Sequence, residues 1–191
     1  GMGGGAMSGV LANIALAVVL AWVVFALAGW VIAPWVAVAL GAVVALAVVG
    51  LARETLVPGG LVALLAPFGV MLPALALRHM GGGLGLPVVP FGTLEIVVFL
   101  GIYVTFLAAS MGVLPVDPYR LGYAPIPVGV MVLAVCLYGA LTGNPFLPLV
   151  AVLGQVAWVM GWGSSNWFDY VLHVMMVPVA VVVLVQRALG G

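Results

Sequence analysis

In the segment NWFDYVLH, residues 166–173, a carboxylate (Asp169) and an imidazole (His173) stand four residues apart. On an uninterrupted helix that spacing puts them on one face, one turn from each other, with Asn166 and Tyr170 alongside. Histidine is the side chain that changes charge near neutral pH, so the pair has the makings of a proton-sensitive gate. The plainer expectation is an anchor, in which Asp169 complements the helix N-terminal dipole, caps backbone N–H groups and holds His173. A second constellation heads an apolar run further back. Glu95, Phe99, Tyr103, Phe106 and Ser110 are spaced four, four, three and four apart, which at 100° per residue confines them to a face about 80° wide. A carboxylate leads an aromatic stripe that ends in a hydroxyl. One reading is a narrow aromatic-lined pore with Glu95 at its mouth; the other is packing, with Glu95 paired to Arg78 or His79. Gln155 and Trp158 are further candidates for a solute path, Gln155 either lining it or bonding across helices. Gly154, Trp158, Gly161 and Ser165 share a face on which small residues permit close helix approach.

Several chemistries lack their residues. No residue is assigned a catalytic role: Ser164 and Ser165 lie near His173 in sequence, but no oxyanion-hole motif accompanies them. Two ligands do not make a metal site, and no metal is assigned. Cys136 is the single cysteine, deep in an apolar run, so it reads as an inert packing residue with no disulfide to make. The chain has no lysine and cannot hold retinal as a Schiff base. His79 and His173 fall toward opposite faces of the membrane, which disfavours a bis-histidine haem, and no cofactor is assigned. The glycines of GGGLG (81–85) have no strand before them and no lysine after, and read as a flexible loop.

The elements that must position these groups follow from composition. Of 191 residues 67% are apolar and 4% are charged, far too few charges for a wettable surface. Long apolar runs punctuated by Gly and Pro are the pattern of bilayer-spanning helices. With zero net charge, nucleic acid is not an expected partner. The fold class is therefore all-α, a polytopic transmembrane helical bundle. Spans are expected near 9–31, 35–52, 58–78, 90–113, 126–142, 146–163 and 168–187. Six spans are the alternative, because 9–52 is nearly continuous. Gly1 ahead of Met2 reads as a protease scar, residues 1–8 as a disordered leader, and 9–187 as one transmembrane domain. The first run is too long, and lacks the basic flank, for a cleaved signal peptide. With seven spans, Arg53, Glu54, Asp117, Tyr119, Arg120, Asn166 and Asp169 gather on the N-terminal side. Arg78, His79, Glu95 and Arg187 gather on the other. The arginines divide evenly, so charge gives no orientation.

GVMLPALAL (69–77), GVMVLAVCL (129–137) and HVMMVPVAV (173–181) are alike, and would make three related hairpins with the first span an addition. Three aromatic-lined hairpins resemble the bacterial urea and amide channels, a family of small six-span hexamers. The segment FLGIYVTFLAASMGVLPVDPYRLGYAPIPVG (99–129) is similar to that family's central hairpin, an aromatic-rich helix and an acidic turn leading into another helix. GNPFLPLVAVLGQVAWVMGW and VMMVPVAVVVL resemble the two spans that follow. The extra first span and the shortage of repeated Trp and Tyr depart from the family. The resemblance implies that Glu95, Tyr103, Phe106, Gln155 and Trp158 lie near a conduction path. The expected function is a channel or transporter for a small neutral or weakly acidic solute, in which pore width, aromatic rings and a few polar groups set selectivity. The alternative is a non-catalytic integral subunit of a larger respiratory or photosynthetic membrane complex. Expected partners are the lipid bilayer, the small-molecule solute, and further copies of the chain or complex subunits. The expected location is a prokaryotic plasma membrane, spanned several times.

Overall fold

The computed structural model describes residues 2–51 and 69–191, with side chains from Gly5 onward, and every regular element among the described residues is a helix. In order they are α1 (Met2–Ala28), α2 (Pro34–Leu51), α3 (Met71–Gly83), α4 (Thr93–Ser110), a 3-10 turn (Pro118–Tyr123), α5 (Pro125–Thr142), α6 (Phe146–Met160), α7 (Phe168–Val171) and α8 (Met176–Ala188). Five stretches are long and apolar enough to cross a membrane: Gly5–Ala28, Pro34–Leu51, Thr93–Ser110, Pro125–Thr142 and Phe168–Ala188. They make the multi-pass helical bundle that the composition requires. The run at 146–163 yields the shorter apolar helix Phe146–Met160. Most of the run at 58–78, with Arg53 and Glu54 before it, lies outside the described residues.

Proline and glycine set the boundaries. Pro34 and Pro125 open α2 and α5, where a missing N–H costs nothing and the fixed φ is already helical. Pro73, Pro148 and Pro178 each stand third in α3, α6 and α8, still within the first turn, whose donors have no partner inside the helix. Gly143 and Gly161, both at φ 67°, end α5 and α6 in the left-handed conformation that glycine adopts without strain.

Pro178 overturns one expectation. The last run is not one helix from 168 to 187. It stops after Val171, Leu172 turns extended (φ −122°, ψ 146°), and the helix resumes at Met176. Pro178 has no N–H for the carbonyl of Val174, and its ring crowds that carbonyl, so a helix starting at Met176 cannot continue back through it. The 81–85 segment also differs from expectation. Residues 81–83 are the last turn of α3 rather than a loop. A Cβ on Gly83 would lie 2.7 Å from the Phe25 ring, so glycine is what lets α3 approach α1 there.

The interior forms two clusters bridged by α3. Ala21, Phe25, Ala37 and Ala45 of α1 and α2 pack with Ala76 and Met80 of α3. A Cβ on Gly41 would stand 2.5 Å from the Ala21 carbonyl oxygen, the close backbone approach that small residues allow between membrane helices. The second cluster joins Val70 and Met71 to Tyr103, Val128, Val150, Trp167 and Tyr170. Cys136 packs at its edge. Facing outward are Ile102, Leu133, Leu137, Leu141 and Val159, each more than 60% exposed, the surface that acyl chains rather than water must cover. The hydroxyls of Thr105, Ser110 and Thr142 each donate to the carbonyl four residues back in their own helix, at 2.8 Å.

Candidate functional site

The chemistry of the last span gathers where it breaks. Two loops on the N-terminal side, 117–124 and 161–167, are clasped together. Asn166 is fully buried and bridges them: its Nδ2 donates to the Tyr119 carbonyl at 2.8 Å, and its Oδ1 accepts from the Phe168 N–H at 2.9 Å. The Trp167 N–H donates to the Gly122 carbonyl at 2.9 Å. Any side chain at 122 would force the clasp to shift, because a Cβ there would sit 2.0 Å from Asn166 Oδ1. The clasp sets the ring of Tyr119 against Phe168, centroids 6.4 Å apart, and its hydroxyl against Asp169.

Asp169 is thus held by hydroxyls. Tyr119 donates to Asp169 Oδ2 at 2.7 Å, and the Ser164 hydroxyl donates to the same oxygen. Both are charge-assisted bonds to a carboxylate, stronger than neutral ones. Burial, and then the bond to Asp169, push the Tyr119 phenol above its ordinary value. Capping falls to the neighbours instead: Asn166 Oδ1 takes the Phe168 N–H and Ser164 Oγ takes the Asn166 N–H at 3.0 Å. The expectation that Asp169 caps its own helix is corrected accordingly.

His173 lies inside the break, so the helical four-residue pairing with Asp169 is lost. Its Nδ1 accepts the Met175 N–H at 3.1 Å at the entry to α8, which leaves the proton of a neutral ring on Nε2. Protonating Nδ1 would remove that bond. Asp169 and His173 nevertheless line one space, of about 10 Å³, with Ala15 and Val19 of α1 and Gly69, Met71 and Leu72 at the start of α3. That is the lower limit for a single water. Ala15 is the midpoint of α1, so the break lies level with the middle of that candidate span. The backbone there finds a partner across the gap: the Tyr170 carbonyl accepts from the Val70 N–H at 2.7 Å. Two of the three similar segments, 69–77 and 173–181, therefore begin short helices at one point; the third, 129–137, lies inside unbroken α5.

The aromatic stripe of α4 turns inward toward this region. Phe99 stacks on Tyr103 at 5.6 Å, Tyr103 on Phe106 at 6.3 Å, and Phe106 meets Phe168 at 4.8 Å. Tyr103 is buried, and Phe99 and Phe106 are half-buried against the core. Ser110 closes the stripe by donating to the Phe106 carbonyl at 2.8 Å. At the other end Glu95 is not paired with Arg78 or His79. Its Oε1 reaches back from the third helical position to accept the Gly92 N–H at 2.8 Å, and its Oε2 accepts from the Tyr138 hydroxyl. Arg78 instead bonds the Val89 carbonyl and lies over the rings of Phe91 and Phe146. His79 Nδ1 accepts from Trp22 Nε1 at 2.9 Å.

Trp158 donates from Nε1 to the Ser165 carbonyl at 2.8 Å, bracing the 161–167 loop. Gln155 is half-buried on α6. Gly154 brings α6 against α7, since a Cβ there would meet Val171 Cγ1 at 2.5 Å. Sequence reasoning missed Ser164, Tyr138 and the direct Tyr119–Asp169 bond. The one usable signal was that PYRLGY and GSSN fall on the same side of the membrane. Models of known families, curated proteins and solved structures were compared with the chain, and none matches it.

Proposed function

We propose that the protein is a small channel or transporter passing a small neutral or weakly acidic solute across the bilayer. The observation that carries this reading is the break at 172–175. Irregular backbone at membrane depth is tolerated where it is buried in protein or lines a cavity, and transporters place such breaks at their solute sites. Here the break adjoins a half-buried carboxylate, a histidine and a water-sized space. Aromatic rings lead toward it along α4 from Glu95, which takes the role of the entrance on the far side. On this reading Asp169 and the hydroxyls of Tyr119 and Ser164 bond the solute as it passes. Protonation of His173 at Nδ1 frees the Met175 N–H and alters the break. The resemblance to urea and amide channels supports an uncharged amide-like solute and a homo-oligomer.

The test is flux into proteoliposomes of urea, formamide, glycerol and acetate at about pH 5 to 8, the interval in which histidine changes charge. Flux above protein-free vesicles is expected for at least one of them. His173→Gln should flatten its pH profile, and Glu95→Gln should lower the rate while leaving the protein folded. No flux for any solute would refute the proposal. The result would then favour the second reading, a non-catalytic subunit of a larger membrane complex. That reading is favoured by burial of only 11–28% of each candidate span within the chain, which leaves wide faces for neighbours.

A further inference from the structure

A cleft of about 610 Å³ opens between α3, the 86–89 segment and the start of α6, on the side of the membrane opposite to the Tyr119–Asp169 clasp. Its outer end carries two donors. Arg78 lies 4.8 Å from the Phe91 ring centroid and 5.4 Å from that of Phe146, with one bond to the Val89 carbonyl. A guanidinium has five N–H donors, so most of its capacity is uncommitted among the described residues. Glu95, the acidic residue on that side, is already taken by Tyr138 and Gly92. Asn144 is 4% exposed and lines the same cleft. Its Oδ1 accepts from the Phe146 N–H at 3.1 Å, while its NH₂ has no partner among the described residues. Below these donors the cleft is apolar, formed by Leu77, Leu86, Leu149 and Val152. Val152 is six residues past Phe146, about 9 Å further along α6.

We propose that this cleft binds one anionic phospholipid of the bilayer, with its phosphate on Arg78 and Asn144 and an acyl chain along Leu77, Leu149 and Val152. Two donors of this kind complement a phosphate, and Arg with its fork of N–H groups does so with two bonds at once. The aliphatic floor complements the chain attached to it, a feature that a site for free phosphate has no use for. The volume lies within the range of about 300–1,000 Å³ typical of ligand sites. Arg78 and Asn144 both lie near helix ends, the depth at which headgroups are found and basic residues attract anionic lipid. The inference does not depend on whether solute crosses the protein.

The experiment is native mass spectrometry of the full chain purified in detergent, with added phosphatidylglycerol or phosphatidylcholine of identical acyl chains. Both lipids offer the phosphate, but the choline ammonium of phosphatidylcholine neutralises its headgroup and is repelled by Arg78, so phosphatidylglycerol is expected to be retained about tenfold more tightly. Arg78→Gln should abolish that preference, and Arg120→Gln, on the exposed opposite side, should preserve it. Leu149→Trp fills the floor from a position 57% exposed, so it should leave folding intact and remove retention of both lipids. It tests the proposal even where Arg78→Gln fails to fold. Equal retention of the two lipids by the wild type would overturn the inference. So would loss of the preference in Arg120→Gln, retention unchanged in Leu149→Trp, or displacement of the lipid by inorganic phosphate alone.

Discussion

Replacing Tyr119 by Phe deletes one oxygen and leaves the ring stacked beside Phe168 and Phe106, so the variant isolates the hydroxyl on Asp169. The 2.7 Å separation is that of a charge-assisted bond, which contributes about 1.5–3 kcal/mol when desolvated. Both residues are half-buried, and water replaces part of what is lost, so about 1–2 kcal/mol is expected. Asp169→Asn removes the charge but keeps an acceptor, at a similar cost. Because Tyr119→Phe deletes this bond and Asp169→Asn strips it of its charge, the double variant should be less destabilised than the sum by about 1 kcal/mol or more. The assay is reversible unfolding in mixed detergent micelles, followed for wild type, both single variants and the double. A helix cap predicts otherwise: Asn caps nearly as well as Asp, and Tyr119 plays no part. Additivity within about 0.5 kcal/mol would refute the reasoning.

The glycines give a sharper contrast. Gly122→Ala and Gly154→Ala should each cost about 1–3 kcal/mol through forced overpacking, whereas Gly101→Ala, with nothing within 4 Å of its new Cβ, should be neutral or stabilising; thermal melts in detergent decide. The raised Tyr119 phenol implies a pH dependence of definite sign. The folded state holds that proton more tightly than the unfolded chain, so its contribution is intact below about pH 10 and is lost as pH climbs above it. Tyr119→Phe should make stability less dependent on pH above about 10, as read by melts between about pH 8 and 11. Removing the cap at Asp117, whose Oδ1 accepts the Tyr119 N–H at 3.1 Å, should cost about 0.5–1 kcal/mol, which Asp117→Ala measures.

Much of the architecture was legible because prolines and glycines announce it. Pro34, Gly143–Asn144–Pro145 and Pro125 stand at real helix ends, and the 3.6-residue period of Phe99, Tyr103 and Phe106 located their shared face correctly. Pro178 carried an equally clear signal that uniform hydropathy hid. YVLHVMMVPVAV reads as one apolar run, yet the proline forbids the helix from continuing back through Val174. The candidate site was less legible because its bonds are non-local. Tyr119 and Asp169 are 50 residues apart, and Glu95 found Tyr138 across 43. Nothing in the period of either helix encodes which hydroxyl arrives. By charge Arg78 is the natural partner for Glu95, but it stands over aromatic faces, and a guanidinium tolerates that arrangement well.

The clasp between loops 117–124 and 161–167 also dictates an order of events during synthesis. Tyr119 precedes Asn166 by 47 residues, about 2–10 s of translation at 5–20 residues per second. Throughout that interval the earlier loop is present without the amide that closes it. Its Gly122 stays an open slot until α6 has crossed and the chain has turned back. The last segment therefore enters against a surface already laid down by α4 and α5. Closure of Asn166 into that slot is a late, recognisable step: a nascent chain arrested near residue 160 carries the lock without its key.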